Sequence, residues 1–139
     1  MSSRRSFLQV VSAACVGVAC DDPTGKREAT GPWAAGSARD LSGLRRVAGA
    51  PLVVARDDGG IYAMSAICTH QQCDMTEDGQ VTPTGIHCDC HASDFDARGV
   101  PVSGPARAPL RHYRVSVAAD GALTVHAGED VPADHRVAG

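Results

Sequence analysis

The sequence predicts an all-β fold whose chemistry sits on loops, and three observations predict it. After residue 40 no stretch repeats apolar residues at the i, i+3, i+4 spacing of an amphipathic helix. Several short runs alternate apolar and polar residues between turn signals. Two cysteine–histidine boxes fall in segments studded with Gly, Pro, Asp and Ser. At 139 residues the chain is one domain plus appendages. Aromatic residues make up only 4% of it, so the buried apolar area per residue is modest and a cross-link or metal would supplement a small core.

The chain opens with Ser2-Ser3-Arg4-Arg5-Ser6-Phe7-Leu8-Gln9, followed by an uncharged run from Val10 to Ala19. A basic start, a short apolar stretch and then a small residue is the layout of a secretion signal. Residues 1–20 resemble a twin-arginine export signal, S-R-R-x-F-L-K, with Gln9 in place of the final Lys. That route carries folded proteins, which suits a cofactor inserted before export, and it implies a periplasmic location or the outer face of the membrane. Phe7 to Cys20 is 14 residues, about 21 Å as a helix, which is short of the roughly 20 residues of a membrane span. Val18-Ala19-Cys20 before Asp21-Asp22 resembles a bacterial lipoprotein cleavage box, although Gly17 stands where such boxes carry Leu. Cys20 is accordingly a candidate lipidation site and membrane tether, the alternative being the tail of a discarded signal; Cys15 reads as a small apolar residue within the signal. Residues 21–44 are rich in Gly, Pro, Asp, Thr and Ala and read as a flexible tether, with Trp33 packing on the domain surface.

The folded part is expected over residues 45–128. Leu52-Val53-Val54-Ala55 and Ile61-Tyr62-Ala63-Met64 flank Asp57-Asp58-Gly59-Gly60 and read as a β-hairpin. Asp94-Phe95-Asp96 and Gly99-Val100-Pro101-Val102 suggest a second, shorter one. Tyr113, Val115 and Val117 alternate with polar residues, Asp120-Gly121 makes a turn, and Leu123-Thr124-Val125 returns. Residues 129–139 are polar and read as a frayed tail.

Between the outer hairpins lie the boxes, Cys68-Thr69-His70-Gln71-Gln72-Cys73 and, after a 14-residue gap, Cys88-Asp89-Cys90-His91-Ala92-Ser93. They supply two thiolates and two imidazoles at the spacing C-x-H-x17-C-x2-H, plus a spare cysteine in each box. A [2Fe–2S] centre with one iron on two Cys and the other on two His needs that set. Cys68 and Cys88 are assigned to one iron and His70 and His91 to the other, which leaves Cys73 and Cys90 over. Replacing two thiolates by imidazoles removes negative charge and favours the ferrous form, making a better electron acceptor than an all-cysteine centre. Tetrahedral zinc is the rival use of the same residue types. His87 beside Cys88 reads as a bystander, and His112, His126 and His135 as solvated.

Charge narrows the partners. From Cys20 onward 11 basic residues face 16 acidic ones, and Lys26 is the only lysine. No basic stripe of the kind that binds a phosphate backbone exists, so nucleic acid is excluded as a partner.

Over about residues 45–128 the chain resembles the Rieske proteins of respiratory and other high-potential chains, whose boxes read C-T-H-x-x-C and C-x-C-H-x-S. The resemblance implies an antiparallel β-sandwich with a small cluster-binding subdomain made of two loops, one [2Fe–2S] cluster per chain, and a disulfide between Cys73 and Cys90, hence an oxidising compartment. Rieske ferredoxins and the Rieske domains of ring-hydroxylating oxygenases lack those two cysteines. Ser103-Gly104-Pro105-Ala106-Arg107-Ala108-Pro109-Leu110 looks like the family's Gly-Pro-Ala-Pro loop, so Gly104 and Pro105 are expected to cover one side of the cluster. Ser93 matches a serine that donates to a bridging sulfide. Phe95 stands where respiratory members carry a tyrosine that donates to a cysteine ligand, which implies a potential high in the Rieske range of about −150 to +300 mV but below its top. Gln71 and Asp89 replace a leucine and a proline and make the tip more polar. Ala92 in place of Gly implies a negative φ at that position. His70 and His91 would form the docking tip and electron port, with electron uptake coupled to proton uptake. The implied partner is a redox protein: a cytochrome, a cytochrome bc-type complex or the large subunit of a molybdenum oxidoreductase. A component of a ring-hydroxylating oxygenase system is the alternative. The chain offers no substrate pocket, nucleophile or general base of its own.

Overall fold

The computed structural model describes residues 28–139; the expected export signal, Cys20 and the first part of the expected tether lie outside the described residues. Two antiparallel sheets form the expected all-β sandwich, and no α-helix occurs among the described residues. The hairpin of β3 (Leu52–Asp57) and β4 (Gly60–Ser65) is as the sequence predicts, with Asp57 opposite Gly60. Its strands are near-continuous apolar runs because both of their faces are covered. On one face Leu52, Val54, Ile61 and Ala63 pack with Tyr113, Val115, Leu123 and Val125 of the second predicted hairpin, β9 (His112–Val117) and β10 (Ala122–Val131). On the other, Val53, Ala55, Tyr62 and Met64 pack with Met75, Ile86, Phe95 and Leu110.

That second face carries the smaller sheet, which runs in sequence order through β5 (Gly79–Thr82), β6 (Gly85–Cys88), β7 (Ser93–Asp96) and β8 (Pro101–Ser103). Its β5–β6 turn rests on β2 (Gly43–Arg46), where the Leu44 N–H donates to Pro83 O at 3.1 Å. A Cβ on Gly43, which has φ +66°, would lie 2.9 Å from Pro83 O, so only glycine lets the two layers approach so closely. The larger sheet has the order β1-β10-β9-β4-β3-β2, with β1 (Gly31–Ser37) and β2 at its edges.

β1 (Gly31–Ser37) corrects the sequence reading. Residues 28–44 were expected to be tether, yet this segment is an edge strand paired with β10, Trp33 opposite Val125. Ala35 and Ala38 are buried, and Trp33 packs against the core rather than merely on the surface. Its small residues and Pro32 mask any strand pattern, and Pro32 is tolerated because an edge strand can lack a ladder donor.

The expected frayed tail is also ordered. β10 continues to Val131, and Val137 exchanges both backbone hydrogen bonds with Ile61, at 2.8 and 2.9 Å. Arg136 bonds Asp57 Oδ2 through Nε at 2.9 Å and Nη2 at 2.7 Å, and its guanidinium lies 3.9 Å from the Tyr62 ring centroid. Against the opposite reading of a solvated side chain, His112 is buried: it stacks on Tyr62 with 5.9 Å between centroids, and Nδ1 meets Leu110 O at 3.2 Å. His126 is half-buried, with Nε2 2.8 Å from Ser116 Oγ.

These contacts set an acid response in two steps. Burial pushes the His112 imidazole below the ordinary 6.5, so the unfolded chain binds its proton first and stability falls as pH drops below that value. The hydrogen bond from Arg136 holds Asp57 below the ordinary 3.8, so its contribution is complete above that value and is lost as pH falls through the depressed native one. Urea midpoints measured from neutral to acid pH should show both steps, and His112→Phe should remove the first. Arg136→Ala should cost about 1–2 kcal/mol at neutral pH, the sum of a cation–π contact and a part-exposed ion pair, and the gap should narrow in the acid step.

Candidate metal centre

The first box begins three residues after Ser65, the end of β4, and is closed on itself. The Cys68 N–H donates to Cys73 O at 2.8 Å, the Gln72 N–H donates to Cys68 O at 2.8 Å, and Ile67 bridges Asp74. The second box is the loop of the β6–β7 hairpin: Cys88 ends β6 opposite Ser93, the first residue of β7. A disulfide between Cys73 and Cys90 joins the two loops. The Cys88 sulfur lies within 4.8 Å of both of its sulfurs, so the strap runs directly past a free thiol.

Cys68 and Cys88 are free, buried and neighbours. Burial pushes the Cys88 thiol up, and the adjacent Cys68 raises it further. His70 and His91 meet edge-on with 4.7 Å between ring centroids. His91 is exposed and His70 half-buried, with a buried Nδ1 that has no hydrogen-bond partner. The four donors are thus sorted by depth, thiols inside and imidazoles outside.

The segment 103–110 crosses both boxes. The Ala106 N–H donates to Ser93 Oγ at 3.1 Å, and Thr69 Oγ1 donates to Ala108 O at 2.7 Å. Gly104, with φ +83°, lies so close to the second box that a Cβ would stand 2.3 Å from Ala92 O and 2.6 Å from Ser93 Cα. Pro105 follows it, half-buried, at the start of this cover. Ser93 is fully buried; because its oxygen accepts from Ala106, its hydroxyl proton remains to be donated. Phe95, two residues on and on the same face, is buried among apolar side chains.

Ala92 departs from expectation. Its φ is +58°, not negative, and Gln72 in the first box has φ +60°. Left-handed backbone at a residue with a Cβ costs about 1–2 kcal/mol, so each loop carries one strained residue. His87 is a bystander to the thiols, but not a free one: Nδ1 meets Asp94 Oδ1 at 2.6 Å, and Ser103 Oγ donates to Asp94 Oδ2 at 2.6 Å. This cross-strand network of β6, β7 and β8 was not read from the sequence; the i, i+7 separation of His87 and Asp94 across a four-residue loop was the signal that could have revealed it.

The donor set fits a [2Fe–2S] group. Two buried thiols and two imidazoles converge, one imidazole nitrogen is buried without a partner, and a loop that only glycine permits closes over the second box. Cys68 and Cys88 would hold one iron, His70 and His91 the other. Residues 34–114 match the Rieske [2Fe-2S] domain.

The chain belongs to the Rieske family. This Rieske chain is 34% identical over 108 residues to the cytochrome b6-f complex iron-sulfur subunit of Synechococcus sp., covering 75% of this chain and 60% of that protein. It is 42% identical over 67 residues to the cytochrome bc1 complex Rieske iron-sulfur subunit of Corynebacterium diphtheriae, covering 47% and 16%. Among solved structures it is similar to a chain from the complex of reduced oxygenase and oxidized ferredoxin in carbazole 1,9a-dioxygenase. There the identity is 31% and the TM-score 0.53, over 75% of this chain and 99% of that one. The Rieske chain spans less than two thirds of the length of the curated relatives it matches. The match replaces the zinc reading with one [2Fe–2S] cluster, and the family reading fits the layer of buried thiols beneath more exposed imidazoles. It begins inside β1, in agreement with the folding of the segment expected to be tether.

Two glycine exchanges test the cradle. Gly104→Ala should clash with the Ala92–Ser93 backbone and lower iron and acid-labile sulfide per chain severalfold. Ala92→Gly should relieve left-handed strain and raise stability by about 1 kcal/mol with iron content unchanged; both are read by metal analysis and urea denaturation.

Proposed function

We propose that this Rieske protein is exported and passes single electrons within a respiratory or periplasmic oxidoreductase chain. Its partner is a redox protein such as a cytochrome, a cytochrome bc-type complex or a molybdenum oxidoreductase large subunit. The observation that carries the reading is the Cys73–Cys90 disulfide across the two cluster loops. A structural disulfide persists in an oxidising compartment, in keeping with the twin arginine at Arg4-Arg5 and the uncharged run after it. The relatives that are cytochrome bc1 and b6-f subunits support the same role.

When bound, the [2Fe–2S] group supplies a one-electron couple that the two imidazoles raise above that of an all-cysteine centre. Cys68 and Cys88 would bind at the buried side, and His70 would bind through its buried Nδ1, which leaves Nε2 to carry the ring proton. His91, exposed, forms the electron port with His70. Ser93 donates its hydroxyl toward the group, Gly104 and Pro105 cover it, and the strap keeps the loops together while they exclude water. Phe95 supplies shape without a donor, which keeps the potential below the top of the range.

A second reading has one observation in its favour. The likeness to the chain from the carbazole 1,9a-dioxygenase complex extends over 99% of that chain, which suits a ferredoxin component of a ring-hydroxylating oxygenase system. The strap argues against it. Redox titration decides: the electron-chain reading expects a midpoint in the upper part of the range of about −150 to +300 mV, falling with pH in the alkaline region. A midpoint at the low end, with the protein retained in the cytoplasm and free thiols at Cys73 and Cys90, would establish the ferredoxin reading instead. Arg4→Lys with Arg5→Lys should leave the exported protein in the cytoplasmic fraction.

A further inference from the structure

Ile67 stands at the root of the first box, bridged to Asp74 across it. The two hydrogen bonds that make this bridge come from neighbouring residues. The Met75 N–H donates to Ala66 O at 2.9 Å and the Cys68 N–H donates to Cys73 O at 2.8 Å. The Ile67 N–H therefore points out of the bridge, and because Ile67 is buried this donor needs an acceptor of its own. Ser65 Oγ provides it at 3.0 Å.

A serine hydroxyl has one proton and two lone pairs, and where the proton goes decides where the lone pairs face. The Ser65 proton goes to Glu28 Oε2 at 2.5 Å, which leaves a lone pair for Ile67 and makes Oγ a stronger acceptor. Ser65 is almost fully buried, so no water replaces a lost partner. Without Glu28 the hydroxyl would turn to satisfy its proton, because a buried donor without an acceptor is costly, and the turn would withdraw the lone pair from Ile67.

Tyr113 OH donates to the same Glu28 oxygen at 2.9 Å, from a position on β9 opposite Ala63. It anchors the carboxylate but takes no part in the link to Ile67. Ser65 has one further tie, its backbone N–H to Arg111 O at 2.9 Å, one residue beyond the covering segment 103–110. The same serine thus serves the root of the first box and the foot of its cover.

We propose that Glu28 is a positioning residue for the cluster: through the Ser65 hydroxyl it holds the Ile67 N–H, and with it the place of Cys68, the next residue and a ligand of one iron. The proposal rests on the [2Fe–2S] assignment alone. It holds for a respiratory partner and for an oxygenase, because the cluster is common to both. It gives the segment before β1, which the sequence suggests is tether, a part in the metal centre.

The test uses the full chain with its cluster, unaltered and as Glu28→Ala, Glu28→Gln, Ser65→Ala and Tyr113→Phe. Hydrogen–deuterium exchange of the segment 65–73, the line width of the reduced cluster in electron paramagnetic resonance, and the rate of iron release to a chelator are read on each. Glu28→Ala should speed exchange and iron release by roughly three- to tenfold, the worth of one hydrogen bond, and should broaden the spectrum as Cys68 takes a spread of positions. Glu28→Gln should behave as the unaltered chain, since both hydroxyls meet one oxygen and an amide keeps it. Ser65→Ala should reproduce Glu28→Ala, and the two together should add nothing. Tyr113→Phe removes a buried bond to the same carboxylate, yet should leave the spectrum and iron release unchanged.

An unaltered spectrum and release rate in Glu28→Ala overturns the proposal. Equal effects in Tyr113→Phe and Glu28→Ala also overturn it, because the carboxylate would then support the fold and not the box. Glu28→Gln behaving as Glu28→Ala overturns it in favour of a charge effect. If Glu28→Ala does not fold, Ser65→Ala decides, since it cuts the link to Ile67 and leaves Glu28 bonded to Tyr113. An unaltered chain that holds no iron or acid-labile sulfide overturns the cluster assignment and this proposal together.

Discussion

The covalent strap between Cys73 and Cys90 is the constraint on which the site depends. Four donors must converge from two loops, and neither loop is relaxed, since Gln72 and Ala92 both hold left-handed backbone. At about 1–2 kcal/mol each, these two residues would pull the loops toward other shapes. A cross-link between residues 17 apart contributes about 3 kcal/mol in the chain-entropy picture, enough to offset most of that strain. The strap acts where it is needed, because it ties the residue after Gln72 to the one two before Ala92 and passes within 4.8 Å of the Cys88 sulfur.

Closure by segment 103–110 works by a different means. It adds no covalent bond; Ala106 and Leu110 pack into the core, and one hydrogen bond ties the segment to each box, from Ala106 to Ser93 and from Thr69 to Ala108. Both bonds require the loop to lie flat on the second box, which Gly104 allows. Of Arg107 and Ala108, which lengthen this segment relative to the family's loop, Arg107 falls between those two anchor points and Ala108 is the second of them; the extra residues therefore bridge the boxes.

What could be read from the sequence divides along physical lines. Ligand spacing is chemistry written locally, so the six box residues were legible, as were hairpins whose turns carry Asp-Gly or Gly-Gly. β1 was not, because Gly31, Ala34, Ala35 and Gly36 give no alternation; it becomes a strand because β10 offers an edge. The tail was hidden for a similar reason: one valine, Val137, and one arginine, Arg136, hold it. His112 reads as an exposed polar residue until Tyr62 and Leu110 are found on either side of it. The sign of φ at Ala92 depends on how a four-residue loop meets Gly104, which no single residue type announces.

These missed elements belong to one system that connects the base to the cluster. Arg136 covers one side of Tyr62 and His112 stacks on the ring, while the Tyr62 hydroxyl donates to Ala97 O, in the β7–β8 turn, at 2.6 Å. His112 meets Leu110 O, and the Leu110 N–H donates to Gly99 O in that same turn. The covering loop therefore ends in a buried stack that the tail seals from the far side. A charge on His112 would find no acceptor at Nε2, so the stack holds only while the imidazole is neutral. The Arg136 cation on Tyr62 helps keep it so, since it opposes a second positive charge there. The tail, though remote in sequence from both boxes, thus bears on how firmly their cover is seated.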